Sequence, residues 1–361
     1  MTMKTVYVLG AGFSAKAGLP TMANFLDVAR DIVIDSNDKE LKKTLGYIRD
    51  LSSVKNYCES NLFNLEEAFS FFETEDWLNI SDEKDKKYPC MVDLIKKVIK
   101  RTTPSVETKE LDFSKAEWYR QIYVQKYKSI FCFLSRVFCL KFKKGENGKL
   151  IITKMGFDEQ NDIITFNYDT LLENCLENIN KHALENCRIK FNKDKDVHLY
   201  KLHGCVEKNN IVPPTWAKYN TNGALKDIWK EAFNKVKEAN RIVFIGYSLP
   251  KSDAYFRYFL KLALSKVDNL KDIKVVCKDN VIENYEEFSK SAKFKFINKE
   301  WESIVPDFDL RDFKNPNSSN TFEKPSWWIE ENNSINDHEN RVFGWGTDTC
   351  KEQYEKEIFI D

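Results

Sequence analysis

The stretch Thr5-Val-Tyr-Val-Leu-Gly-Ala-Gly-Phe-Ser14 runs a short β-branched and apolar segment straight into a glycine pair. Thr5–Leu9 reads as a buried strand, because a brief continuous apolar run bounded by glycine fits the centre of a sheet. Gly10 and Gly12 then permit a tight turn and let backbone N–H groups approach a pyrophosphate with no Cβ in the way. Ser14 can donate its hydroxyl to phosphate or ribose. A glycine-rich strand–helix turn with no ligand accounts for the same residues equally well. Ala15 stands where Gly-x-Gly-x-x-Gly, begun at Gly10, has its third glycine, and the Gly-Lys-Ser/Thr of a P-loop is missing.

Downstream, Thr21 can cap a helix with Met22, Phe25, Leu26 and Ala29 on one face. The following hundred-odd residues read as mostly helical. Leu62, Leu65, Ala68, Phe69 and Phe72 recur at helical spacing, as do Tyr119, Ile122, Tyr123, Tyr127, Ile130, Phe131, Leu134 and Phe138. Gly145-Glu-Asn-Gly148 marks a turn. From Asp162 the rhythm changes. Strands are expected at Ile163–Phe166, Val197–Leu202, Arg241–Ile245, Ile273–Cys277 and Phe294–Ile297. Helical faces lie between them, at Leu171–Leu176, Leu225–Val236 and Phe256–Ala263. Strand and helix in alternation imply an α/β fold, with a parallel sheet covered on both faces.

Three further segments sit at the carboxyl ends of predicted strands, where open α/β sheets hold their ligands. Thr165-Phe-Asn-Tyr-Asp169 offers an amide and a carboxylate two residues apart. Asn167 can turn the chain or grip a carboxamide, and Asp169 can cap the helix starting at Thr170. His203, before Gly204, can serve as a general base near neutral pH, or be a histidine with one satisfied hydrogen bond. In Gly246-Tyr-Ser-Leu-Pro-Lys-Ser-Asp253, Ser248 can bind ribose or phosphate, while Asp253 or Ser252 fits a helix cap. His182, His198 and His338 fall outside this set.

Lys+Arg and Asp+Glu number 56 each, so neutrality gives no electrostatic argument for a nucleic-acid or membrane surface. Val6–Leu9 is too short for a secretory signal, and the chain lacks an apolar run of the roughly 20 residues that span a bilayer. Nine cysteines, with none spaced C-x-x-C, read as reduced thiols in a cytoplasm, with no zinc site expected.

In combination, Gly10-Ala-Gly-Phe-Ser14 with Ala17-Gly-Leu-Pro20, Thr165-Phe-Asn-Tyr-Asp169, Leu202-His-Gly204, and Gly246-Tyr-Ser-Leu-Pro250 with Asp253 resemble the sirtuin-like family, in particular its bacterial anti-phage-defence branch. Val212-Pro-Pro-Thr-Trp216 is similar to that branch as well. The resemblance spans Val6 to Ile297. It implies a Rossmann-like NAD-binding domain over 1–24 and 156–305, an inserted, mostly helical small domain over 25–155, and an irregular C-terminal tail over 306–361. NAD would lie between the two domains.

The resemblance further implies that Gly10, Ala11, Gly12, Phe13 and Ser14 hold the pyrophosphate. Asn167 and Asp169 would line the nicotinamide and ribose pocket, His203 would be the general base, and Gly246 and Ser248 would hold the adenosine side. Two departures bear on the reaction. Protein deacylases carry a four-cysteine zinc ribbon after His-Gly, where this chain has only Cys205, and a glutamine before the asparagine, where it has Phe166. The expectation is therefore an NAD+ glycohydrolase with NAD as substrate. It would be gated and act by NAD depletion in defence, as a homo-oligomer or with a partner such as an ATPase. The aromatic tail residues Trp327, Trp328 and Trp345 could bury into such a partner or pack on their own domain. A deacylase or ADP-ribosyltransferase, and a non-enzymatic NAD or ADP-ribose sensor, are the competing expectations.

Overall fold

The computed structural model describes residues 2–51, 65–80, 86–107, 125–145, 149–154, 159–193, 197–208, 210–213, 223–251, 253–267, 269–278, 281–289 and 293–303. The expectations for Tyr119, Ile122, Tyr123, Leu62, Ser252, Pro214-Thr-Trp216, His338 and the whole tail fall outside these residues.

Six strands form one parallel sheet: β1 (Met3–Leu9), β4 (Glu159–Thr165), β5 (Leu199–Lys201), β6 (Arg241–Ile245), β7 (Asp272–Cys277) and β8 (Lys293–Asn298). Their spatial order is β5-β4-β1-β6-β7-β8. Counted along the chain within this sheet, that is the doubly wound order 3-2-1-4-5-6, which reverses between β1 and β6. Every neighbouring pair is parallel, with Val6 facing Asp162 on one side and Ile242 on the other.

Because side chains alternate along a strand, each strand feeds two cores. Tyr7, Leu9, Ile163, Val243, Ile245 and Ile297 face one cluster; Val6, Val8, Ile164, Phe244, Val275 and Phe296 face the other. The second cluster is closed by α8 (Ala224–Lys237) and α9 (Ala254–Leu264), whose buried Trp229, Phe256 and Leu260 lie against the sheet.

The first cluster is closed by α7 (Leu171–His182) and by the long segment after β1. That segment holds α2 (Phe25–Ser36), α3 (Lys39–Asp50), α4 (Leu65–Trp77), α5 (Lys87–Thr102) and α6 (Lys128–Val137). Phe133 of α6 meets Tyr7 of β1 edge-on at 5.4 Å, so these helices share one apolar cluster with the sheet.

Three local expectations need correction. The stretch expected to be mostly helical also carries an antiparallel hairpin, β2 (Leu140–Lys144) and β3 (Leu150–Lys154), with Phe142 opposite Ile152. Leu140 and Phe142 alternate with lysines, which is a two-residue period that the neighbouring helical stripe overshadows. Helix α2 begins at Phe25, not after Thr21. Asn24 Oδ1 accepts from both the N–H and the hydroxyl of Thr21, which winds the chain into a turn before the helix and leaves Met22 exposed. Asp253 holds the N-cap position of α9, but its carboxylate makes no capping bond and turns instead to Tyr247.

Candidate active site

The carboxyl ends of β1 and β6 meet where the strand order reverses. Gly10 N–H donates to Ile245 C=O at 3.1 Å and Gly12 N–H to Gly246 C=O at 2.9 Å. Gly246 has φ +59°, and a Cβ there would lie 2.3 Å from the Phe13 nitrogen. The glycines are thus required first by the contact between two backbones. The N–H groups of Gly10 and Gly12 are both spent within the fold. Gly12, Ala11 and Ser14 of the short helix α1 (Ala11–Ser14) still line a cavity, while Gly10 and Phe13 do not. Phe13 is core: it stacks on Trp301 at 4.4 Å, and its carbonyl accepts the Trp301 indole N–H at 3.1 Å.

The cavity measures about 570 Å³ and lies along the carboxyl rim of the sheet. This is ample for a drug-sized ligand. The rim brings together Asn167, Asp169, His203, Gly246 and Ser248 with the α1 turn, and α4 and α5 cover it with Leu65, Glu66, Ile95 and Ile99.

Asn167 follows β4 and is fixed from several sides. Its N–H donates to Thr165 Oγ1 at 3.1 Å, and its Nδ2 donates to Gly10 C=O at 3.0 Å and to Ser14 Oγ at 3.1 Å. With both amide hydrogens spent, Oδ1 is the end of the amide left to accept from a ligand. Asp169 is buried. Its Oδ1 accepts the Leu171 N–H at 3.0 Å from the position before Thr170, which is the N-cap of α7. Burial pushes its carboxyl above the usual carboxylate range, and the Lys201 ammonium partly offsets this.

His203 lies beyond β5, in a turn closed by Gly204 N–H to Lys201 C=O at 3.1 Å. Gly204 has φ +81°, and a Cβ there would fall 2.0 Å from the Asn210 carbonyl oxygen. The buried imidazole packs edge-on to Phe166 at 4.9 Å and lies 5.9 Å from the Tyr168 ring. Phe166 in turn stacks on Tyr247 at 4.6 Å. An aromatic wall therefore stands where a glutamine would have brought a polar group. Trp229 supports the turn from below, its indole N–H donating to Leu202 C=O at 2.9 Å. Trp229→Phe is expected to leave that buried carbonyl unpaired and cost about 1–3 kcal/mol, read as a lowered midpoint in urea unfolding with an unchanged slope.

After β6, Tyr247 donates its hydroxyl to Asp253 at 2.5 Å, and burial followed by that carboxylate holds the phenol well above its usual range. Arg257, a residue that sequence spacing does not single out, clamps this loop through the carbonyls of Leu249, Pro250 and Asn284. Among the described residues, the other two histidines stand apart from the cavity lining. His198 Nδ1 is 3.2 Å from Asp162, and His182 is buried on α7.

The far end of the cavity, beyond β7 and β8, is lined by Cys277, Lys278, Lys299, Glu300, Trp301 and Glu302. Glu300 bridges Lys16 at 2.5 Å and Lys278 at 2.9 Å, and these cations hold its carboxyl down at about 2. The two ion pairs link the α1 side of the rim to β7 and β8. The sequence reading missed Glu300 and Trp301 because their partners lie far away in the chain.

Among the described residues, no three His, Cys, Asp or Glu side chains are grouped so as to hold a metal, no helix is long and apolar enough to cross a membrane, and seven cysteines are free thiols.

Residues 161–297 match a family model described as the SIR2-like domain. The match takes in Asn167, Asp169, His203, Gly246 and Ser248 and leaves β1 outside it. No curated protein matches the chain. Similar solved structures include Sir2 with a p53 peptide and NAD+, which is 12% identical, with 84% of this chain and 90% of that one covered and a TM-score of 0.35. Another is Sir2Tm bound to a propionylated peptide, at 13% identity, 84% and 90% coverage and a TM-score of 0.34.

Proposed function

We propose that the protein is an NAD+ glycohydrolase, releasing nicotinamide and ADP-ribose. The observation that carries this reading is the convergence of Asn167, Asp169 and His203, which lie within the SIR2-like match, with Ser14 on one cavity at the reversal of a doubly wound sheet. NAD is the substrate. Its pyrophosphate would lie along Ala11, Gly12 and Ser14, its nicotinamide ribose toward Asn167 and His203, and its adenosine toward Gly246 and Ser248. Domain 25–155 would cover it through α4 and α5, against the domain formed by 1–24 and 156–305.

In the reaction the bond between the pyridinium nitrogen and ribose C1′ breaks. The bonding pair returns to the ring, so neutral nicotinamide leaves without an acid. The cation left on ribose resembles that of glycoside hydrolysis. Water adds at C1′ and gives up its proton to His203, or to His203 by way of a ribose hydroxyl. Asn167 Oδ1, the free acceptor of its pinned amide, orients the carboxamide or the water. The aromatic wall of Phe166, Tyr168 and Tyr247 keeps other water away from the cation.

Incubation of the pure protein with NAD, followed by chromatography of nicotinamide and ADP-ribose, tests this directly. Asn167→Ala is expected to reduce nicotinamide release by roughly 10–1,000-fold, in proportion to the one oriented hydrogen bond it removes. Nicotinamide release that rises only when an acyl-lysine peptide is added would point instead to a deacylase or ADP-ribosyltransferase. Tight binding with no release would point to a sensor. In a cytoplasm such an activity must be gated, and NAD depletion during anti-phage defence, in a homo-oligomer or with an ATPase partner, is the setting that fits it.

A further inference from the structure

Cleavage of NAD leaves a positive charge on the nicotinamide ribose. Among the described residues, five carboxylates line the cavity. Four belong to the sheet side and have partners there. Asp169 Oδ1 accepts the Leu171 N–H, Asp253 accepts the Tyr247 hydroxyl, Glu300 bridges Lys16 and Lys278, and Glu302 lies 3.9 Å from Lys16. The fifth, Glu66, comes from the cover. It is half-buried in the first turn of α4, where α4 and α5 otherwise turn Leu65, Ile95 and Ile99 to the cavity.

The cover is seated over the histidine end of the cavity. Helix α5 reaches the turn after His203 through Lys100, which is 4.0 Å from Glu207. The chain just past α5 is held to α7, with Asn174 Nδ2 donating to Pro104 C=O at 3.0 Å. Helix α4 is tied to α5 by Phe69, edge-on to Tyr88 at 6.2 Å, and by Glu75, 2.8 Å from Lys87. Both tyrosines of the aromatic wall also feel the Glu66 charge. Burial, and then Glu66, raise the Tyr168 phenol above its usual range; for Tyr247, burial, Asp253 and Tyr285 come first and Glu66 adds to them. A glutamate turned to solvent would serve the dipole of α4 as well. Glu67, its neighbour in that turn, is such a case and does not line the cavity, whereas Glu66 does.

We propose that Glu66 is a further catalytic residue: its carboxylate, held over the cleavage site by the cover, stabilises the cation that forms at ribose C1′. The proposal rests on the glycohydrolase reading. Glu66 forms no bond and takes no proton. As the C1′–N bond breaks, its electron pair goes to the ring, and positive charge moves from the pyridinium to C1′ and the ribose ring oxygen. A carboxylate fixed beside the ribose gains attraction as that charge arrives. Water then adds at C1′ and gives its proton to His203. Among apolar side chains the attraction is screened less than in water. The same carboxylate should favour a ligand whose sugar is cationic over one whose sugar is neutral.

The experiment compares wild type, Glu66→Gln, Glu66→Asp and Glu67→Gln by calorimetric titration and by NAD turnover. The titration probes are ADP-ribose and an ADP-linked pyrrolidinediol, whose protonated ring nitrogen stands in for the ribose cation. Glu66→Gln should weaken the pyrrolidinediol by roughly 10–100-fold and leave ADP-ribose unchanged. Glu66→Asp should restore most of the loss, and Glu67→Gln should move neither probe. In turnover, Glu66→Gln should lower kcat by roughly 10–1,000-fold with KM for NAD little changed, as expected of an interaction made in the transition state. Equal weakening of both probes in Glu66→Gln, no weakening of either, or the same loss in Glu67→Gln would overturn the proposal. Should the glutamine variant not fold, Glu66→Leu, which continues the apolar cover, takes its place with the same expectations. The titration needs no cleavage. A wild-type protein that leaves NAD intact would therefore end the glycohydrolase reading, while the two probes still decide whether Glu66 meets a cation.

Discussion

His203→Ala is expected to lower NAD turnover by ~100–10,000-fold, the usual worth of a positioned general base. The loss should fall on kcat rather than on NAD affinity, because the imidazole is assigned to a proton that moves only as water adds. The ring is buried between Phe166 and Tyr168, so alanine also leaves a small void. Glutamine at 203 is therefore the companion variant, filling the space without serving as a base. Single-turnover nicotinamide release, measured beside an unfolding curve, separates the two effects. Wild-type release from a folded His203→Ala protein would remove the histidine from the mechanism.

Gly246→Ala is expected to destabilise the fold by about 2–5 kcal/mol. A left-handed backbone costs an alanine about 1–2 kcal/mol, and forcing extra atoms into a packed place adds about 1–3 kcal/mol. The added Cβ would meet the Phe13 nitrogen at 2.3 Å and the Gly12 carbonyl carbon at 2.5 Å, and neither backbone can swing aside as a side chain does. The β1 turn would have to separate from β6, opening the wall that Ala11, Gly12 and Ser14 give the cavity. A lowered denaturation midpoint and weakened NAD binding should therefore appear together. Full retention of both would mean that the junction is softer than its distances imply.

The parallel sheet was readable because its strands are buried on both faces and appear as short apolar runs ending in glycine or a polar turn. Arg241–Ile245 falls where its apolar run predicts. The convergence on one rim was readable too, since a parallel sheet gathers the carboxyl ends of its strands. What each glycine does there was not. Gly10 and Gly12 read as a tight turn, but the partner that uses their N–H groups, the end of β6, lies more than two hundred residues away. The hairpin of β2 and β3 was hidden by an adjoining helical stripe. Lys201, Arg257 and Glu300 gave no local signal. A buried or bridging charge is recognised by what surrounds it, and spacing along the chain does not report that.

Of the six strands of the sheet, β1 is made before the others and has to wait for both of its neighbours, β4 and β6. Leu9 is joined to Thr165 across 156 positions, and Phe13 to Trp301 across 288. At ~5–20 residues per second of synthesis, β1 waits on the order of ten seconds or more for its first neighbour and longer for its second. Until then the growing polypeptide has no finished cleft. Whatever chemistry the cleft performs thus waits on the order of assembly alone.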